Sequence, residues 1–374
     1  MRSVARKFKV SLLTVQRWVG RAKGRRSDRV DWSDRPRGRH PAINRTAHAL
    51  EDLILKTRHE LKERSDLGEY GAVALWDALD EQDIEGIPSI RTIGRILARR
   101  GALDYRRRKP LPAPARGWYL PDVAEGEAEL DAFDVIEGLV IQGGPEIQVL
   151  TAASLHGRWV GAWPGLALGS QAIAEALASH WRGEGLPSYA QFDNDTRFQG
   201  PHQFPDTFGR VTRLCLSLRV VPVFVPPQET GFQAAIENFN GRWQAKVWKR
   251  WWHTSLATLC EKSNRYIAAS RLKAARACES APPRRNFPRK WKPDFQAALQ
   301  GRVIFLRRTS EQGAVSLLGR TFSVDPLWRH RLVRAEVDLD AETICFHGLR
   351  RAEPNYQPLL KETRYHVPRK PFPE

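Results

Sequence analysis

Cysteine is scarce in this chain. The four residues, Cys215, Cys260, Cys278 and Cys345, lie far apart with no C-x-x-C pair, which argues against a disulfide framework and a Cys-based zinc site and fits a reducing compartment. No apolar run approaches the roughly 18 residues that a bilayer-spanning helix needs, and no signal peptide opens the sequence. No Ser-His-Asp or Cys-His spacing recommends a covalent nucleophile, and His156 and His202 read as lone, satisfied or surface histidines. Acidic residues are in deficit: 42 Asp and Glu against 60 Lys and Arg leave a net charge of +18 and a pI near 10.2. Without a basic amphipathic helix or a lipid anchor, that excess points to nucleic acid rather than a membrane, because Lys and Arg on phosphates release counterions; a merely basic, solvated surface is the bland alternative. What remains is ordinary for folded protein, 374 residues with 41% hydrophobic and 27% charged, enough for two to four domains.

The first helical unit pairs Val4, Ala5 and Phe8 on one face with a second helix opened by Ser11 as N-cap. In that helix Leu12, Val15 and Val19 are expected inward, leaving Thr14, Gln16 and Arg17 to read a groove. The pattern resembles the helix-turn-helix of insertion-sequence transposases, with Lys9 where the turn usually has Gly and almost nothing before Val4. A basic linker follows. A second helical unit carries Leu50, Leu53, Ile54 and Leu61, then Ala72 to Leu79, then a helix introduced by Pro88-Ser89 and stopped by Gly101. There Ile90, Ile93 and Leu97 form the expected inner stripe, while Arg91, Arg95 and Arg99 recur every fourth residue on another face, suited to phosphate and guanine contacts or else simply solvated. The Arg106-Arg107-Arg108-Lys109 run and a Pro-rich stretch make a second linker.

From about residue 127 the pattern becomes strands: 129–136, 147–152 and 159–163, broken by Gly143-Gly144-Pro145 and His156-Gly157 as in an antiparallel meander. A helix (171–181), a strand (189–193), a helical stretch (208–218), a strand (220–225) demoted to a sheet edge by Pro222, and a helix through Glu237 complete a mixed sheet with helices against its faces. Three acids stand at the ends or exits of these elements, Asp131, Asp193 and Glu237. Phosphodiester chemistry wants such carboxylates around two hard cations. Asp134 is expected on the opposite strand face from Asp131 and so not a ligand; Asp195 is the best substitute acid and Glu229 faces solvent.

The runs Glu129-Leu130-Asp131, Phe192-Asp193-Asn194 and Gly231 to Asn240 resemble the three blocks of the Asp-Asp-Glu integrase core, a ribonuclease H-like family of retroviral integrases and bacterial insertion-sequence transposases. The resemblance implies metal binding by Asp131, Asp193 and Glu237, with two Mg2+ (or Mn2+) ions, and DNA positioning by Gln233 and Asn240, four residues before and three after the Glu. Departures are Asp195 where Gly is common, a longer Asp193-to-Glu237 stretch through 200–205, and Gly241 and Gln244 where basic residues are usual, with Arg242 and Lys246 nearby. The helix after Glu237 mixes Trp243, Trp248, Trp251 and Trp252 with Lys246, Lys249 and Arg250, for packing or for stacking single-stranded ends. Short strands from 302 to 346 suggest a small closed barrel, similar to the SH3-like domain at integrase C-termini.

The expected fold is therefore multidomain: a helix-turn-helix module (1–24), a basic linker (25–46), a second helical DNA-binding module (47–103), a Pro-rich linker (104–121), a ribonuclease H-like mixed-sheet core (122–280), a linker (281–298), an SH3-like β-barrel (299–354) and a tail (355–374). The expected function is a DNA transposase or integrase-like recombinase, hydrolysing a strand at element ends and transferring the freed 3′-hydroxyl into target DNA. Its expected partners are double-stranded DNA and further copies of itself, with no membrane and no small-molecule cofactor, in the cytoplasm at the nucleoid. The alternatives are a non-catalytic, domesticated or decayed DNA-binding protein and a simple ribonuclease H-like nuclease.

Overall fold

A computed structural model describes residues 1–33, 46–103, 116–201, 204–229, 231–351, 353–368 and 372. The Arg106–Lys109 run, His202 and most of the first linker lie outside the described residues. Two helices open the chain, α1 (Arg2–Lys7) and α2 (Leu12–Ala22). Lys9 takes the left-handed conformation at the turn between them (φ 51°), and the Ser11 hydroxyl caps α2 by accepting the Thr14 N–H at 3.0 Å. Val15 is buried as expected, whereas Val19 is exposed: α1 has only six residues and cannot cover the last turn of α2.

The second helical unit consists of α3 (His48–Arg64), α4 (Ala72–Asp80) and α5 (Ile90–Arg99). Its core is Ile54, Leu75, Leu79, Ile93, Ile96 and Leu97. Ser89 caps α5; Ile90, expected inward, is exposed in the first turn, while Ile96, not expected inward, is buried. After a short helix, α6 (Pro121–Ala124), come β1 (Leu130–Val140), β2 (Glu146–Ser154) and β3 (Val160–Gly165), an antiparallel meander. Then follow α7 (Ser170–Glu184), β4 (Tyr189–Phe192), α8 (Thr196–Gln199), α9 (Arg210–Ser217), β5 (Val221–Phe224) and α10 (Ala234–Trp243). A π-helical segment (Gln244–Trp248) leads to α11 (Leu256–Glu279). β4 runs parallel to β1, and β5 parallel to β4, so the core sheet has the order 3-2-1-4-5.

Among the described residues, the strands beyond residue 300 prolong the core sheet and give no closed barrel. β6 (Arg302–Arg308) adds to β5 in parallel, and β9 (Leu332–Asp338), β10 (Thr343–Leu349) and β11 (Leu359–Arg364) extend the same sheet antiparallel, giving nine strands. Among the described residues, the hairpin of β7 (Ala314–Leu317) and β8 (Arg320–Ser323) forms a separate two-stranded sheet. The expectation that Pro222 puts β5 at a sheet edge fails, because β5 pairs with β4 on one side and β6 on the other. Val221 and Val225 donate to Ser188 and Phe192 on the β4 side, so the N–H that Pro222 lacks would have faced β6. The β5–β6 ladder starts one residue later, at Val223 opposite Ile304, and the proline is tolerated in a central strand.

Two buried layers cover the sheet. Phe133, Trp181, Phe192 and Leu214 pack in the layer with α7 and α9; Leu130, Ala132, Ile236, Phe239 and Trp243 pack in the layer with α10 and α11. The helical unit docks on the latter side. Arg250 donates to the carbonyls of Lys62, Glu63 and Ser65 at 2.6–3.1 Å, and Lys246 donates to that of Gly68 at 2.7 Å. Cations at the carbonyl-rich C-terminal end of α3 are where its dipole favours them.

Candidate active site

Successive strand side chains point to opposite faces. On β1, Leu130 and Ala132 belong to the α10 layer and Phe133 to the α7 layer, so Asp131 falls on the α7 side and Asp134 on the α10 side. The parallel register pairs Leu130 with Tyr189 and Ala132 with Gln191; two residues further, Asp134 comes level with Asp193, just past the end of β4. α10 lies against β1 and β2 on this side. Asn240, buried one turn after Glu237, donates Nδ2 to Asp134 Oδ2 at 2.7 Å.

Electrostatics tie the same residues together. The Asp134 carboxyl is pushed up to about 6, first by burial, then by the negative charge of Asp193, with a smaller push from Glu237. The Val135 N–H and Asn240 oppose that rise. Asp193 is also raised, by burial foremost and by the charge of Asp195, against the hydrogen bond from the Asp195 N–H. A carboxyl raised by neighbouring negative charge in this way is what a bound cation would relieve.

The structure does not bring Asp131 to this site, correcting the sequence expectation. Its side chain is 1% exposed on the other side of the sheet. Arg284 grips both carboxylate oxygens, Nη1 at 3.0 Å from Oδ2 and Nη2 on Oδ1, while Trp181 Nε1 donates to Oδ2 at 3.1 Å. His180, neutral and driven down to about 4 chiefly by burial, lies 3.9 Å away. The opposite-face relation of Asp131 and Asp134 holds, but the face with the other acids is that of Asp134. The β1–β4 register that carries Asp134 level with Asp193 is a long-range feature with no local mark in the sequence.

The remaining candidates sort by their contacts. Asp195 caps α8 and pairs with Arg197, so the best substitute acid is engaged in local structure. Asn194 bridges strands, donating to Val225 O at 2.7 Å and accepting from Arg307 Nη2 at 2.8 Å. Glu229 pairs with Arg308, and His156 is satisfied by Val123 O at 2.9 Å. Gln233 stands at the N-cap of α10 with Nε2 buried and without a hydrogen-bond partner among the described residues. Gln16 and Arg17 are exposed on α2, while Thr14 is half-buried and bonded to Ser11. Arg91 and Arg95 are exposed on α5, but Arg99 joins Arg100 in pairing with the buried Glu51. Trp243 is core, its Nε1 bonded to Ser263 at 3.0 Å, whereas Trp252 is exposed.

No protein-family model matches the sequence, and no curated protein matches it. Solved structures do align. A chain of the simian T-cell lymphotropic virus intasome in complex with PP2A regulatory subunit B56 gamma is 13% identical over 79% of this chain and 91% of that one, with a TM-score of 0.34. The HTLV-2 integrase catalytic core domain in complex with magnesium (dimeric form) is 13% identical over 39% of this chain and 81% of its own, TM-score 0.26. The BIV integrase core is 11% identical over 38% and 81%, TM-score 0.26. Alignments this loose identify no activity; the strand order and the placement of the acids carry the functional reading.

Proposed function

We propose that the chain is a DNA transposase or integrase-like recombinase, with Asp134, Asp193 and Glu237 as its metal-binding acids. The observation that carries this reading is the meeting of Asp134 and Asp193 at neighbouring parallel strands under α10, close enough to Glu237 for both charges to raise Asp134. Among the described residues no three His, Cys, Asp or Glu side chains come together as a group that could hold a metal ion. The donor set still fits a hard divalent ion. Magnesium takes one or two carboxylates and fills its shell with water and substrate phosphate, a demand that Asp134 and Asp193 meet, with the exposed Glu237 free to join.

Two Mg2+ or Mn2+ ions bound there would supply Lewis-acid chemistry for strand hydrolysis and transfer of a 3′-hydroxyl. The chain's own share is positional. Asn240 fixes one oxygen of Asp134, the Asp195 N–H fixes Asp193 at 3.0 Å, and Arg307, through Asn194, locks the loop that carries Asp193. Arg91, Arg95, Gln16 and Arg17 offer exposed groups for double-stranded DNA in the two helical modules, and holding two DNA ends together calls for more than one copy.

The test is a search for inverted repeats flanking the coding region, followed by Mn2+-supported cleavage of duplexes that carry them. Ala variants of Asp134, Asp193 or Glu237 should lose cleavage at least about 100-fold while binding DNA as the parent does. Full activity in Asp134→Ala would refute the assignment, and DNA binding without cleavage in the parent would favour the non-catalytic reading.

A further inference from the structure

The two edges of the nine-stranded sheet are finished differently. At one edge α11 packs against β3, Arg271 Nε donates to the Val160 carbonyl at 2.9 Å, and Pro164 lacks an N–H altogether. At the other edge β11 pairs, among the described residues, with β10 alone. The Tyr365 N–H donates to Glu342 O at 2.8 Å, so the backbone groups of Tyr365 and, by alternation, of Thr363 face β10. Those of Glu362 and Arg364 point away from the sheet. Such a row of unmatched N–H and C=O groups is a template for a further strand.

The side chains say which strand fits. Glu362 and Arg364 share one face of β11, both exposed and neither in an ion pair with a described residue. On the other face Lys361 is held by the Ser323 carbonyl at 2.6 Å and Tyr365 by Asp206 at 2.6 Å. Charges on an edge strand commonly keep other strands off, and in most registers these would repel a second β11. Two copies in antiparallel contact about a two-fold axis exchange backbone bonds only where outward-facing residues meet, so the axis passes through a residue. An axis at Glu362 or Arg364 sets like charges opposite one another, and an axis at Lys361 opposes two lysines. An axis at Thr363 sets Glu362 of each copy opposite Arg364 of the other and pairs Thr with Thr, both favourable cross-strand neighbours.

We propose that β11 is a self-pairing edge that joins the sheets of two copies of this chain in the Thr363-centred register. The contact is isologous, so it closes at the dimer, and it does not depend on the metal-binding acids. Its ladder is short, about four backbone hydrogen bonds and a Glu362–Arg364 pair on either side of the axis. That is less than the roughly 1,200 Å2 of a standard stable interface, and the expected Kd is correspondingly weak, about 10–100 µM.

The experiment uses the full chain without DNA or metal, with sedimentation velocity over about 5–500 µM to bracket that affinity and amide exchange read at Glu362 and Arg364. The expected result is a concentration-dependent dimer in which those two amides become protected. Glu362→Arg or Arg364→Glu alone should weaken the dimer about tenfold or more, and the two together, which restore opposite charges across the axis, should return it to within about threefold of the parent. Thr363→Cys, in a background carrying Cys260→Ser, Cys278→Ser and Cys345→Ser, should form an intermolecular disulfide under mild oxidation, because a non-hydrogen-bonded pair places its Cα atoms about 4.5 Å apart. A monomer across the whole range, a dimer indifferent to both single swaps, or a double swap no better than the singles would overturn the proposal. So would protection of the Glu362 and Arg364 amides in the monomer, since another segment of the same chain would then cover the edge.

Discussion

Replacing each of two aspartates three residues apart on one strand should move stability in opposite directions. Below about pH 4 the Asp134 carboxyl is protonated in both folded and unfolded chains, and it has no effect on their balance. As pH rises the unfolded chain ionises first, near the usual 3.8, while the fold holds its proton up to about 6; stability therefore falls through that window and stays lowered above it. At about 1.4 kcal/mol per pH unit, the penalty is about 3 kcal/mol, and solvent screening of a half-buried group brings it to about 1–2 kcal/mol. Asp134→Asn removes the charge while keeping a group that can meet Asn240, so it should stabilise the metal-free protein by that amount at pH 8 and by almost nothing at pH 4. Asp131→Asn strips the counter-charge from the buried Arg284 and should cost about 3–5 kcal/mol. Urea denaturation of both variants from pH 4 to pH 8 measures this. An Asp134→Asn protein less stable than the parent at pH 8, or an Asp131→Asn protein unchanged, would refute the reasoning.

Other consequences follow from the same contacts. His180, buried neutral with its ring driven down to about 4, binds its proton more readily once unfolded, so stability should fall by up to about 3 kcal/mol between pH 6.5 and 4; that slope should flatten in His180→Gln, measured by urea denaturation. Arg250→Ala should free the carbonyls of Lys62, Glu63 and Ser65 and raise amide hydrogen exchange across 62–70 about tenfold, with exchange in β1 and β4 unchanged. Arg91→Ala and Arg95→Ala should each lower the salt dependence of DNA binding by about one counterion. Arg99→Ala should instead lower stability by about 1–2 kcal/mol, because the buried Glu51 loses one of its two described arginine partners, and a salt titration with a melting curve tells the two effects apart.

Periodicity and turn chemistry made most of the elements legible before any coordinates. The Gly-broken meander of β1 to β3, the helix–strand alternation after it, and the Ser11 and Ser89 caps stand where the sequence puts them, because each depends on residues within a few positions of one another. What failed was long-range. Alternation along β1 separates Asp131 from Asp134 but does not say which face α10 will cover; that choice depends on Ile236, Phe239 and Trp243 finding Leu130 and Ala132 a hundred residues away. Arg284, in a stretch that reads as a basic linker, carries no local mark of burial beneath the sheet. Pro222 reads correctly as a lost donor, yet one missing hydrogen bond is outweighed when β6 pairs just beyond it, and the strands of the expected barrel then prolong the core sheet. Val19 and Ile90 show the same limit, since an apolar stripe names a face and not its partner.

Whether Asp134 and Asp193 are metal ligands is decided most directly by crystals of the full chain soaked in Mn2+, read by anomalous diffraction at the manganese edge. A peak between these two carboxylates, absent from Asp134→Asn crystals, is the result the account predicts. Manganese at Asp131, or no peak at this end of β1 and β4 at tens of millimolar Mn2+, would contradict it.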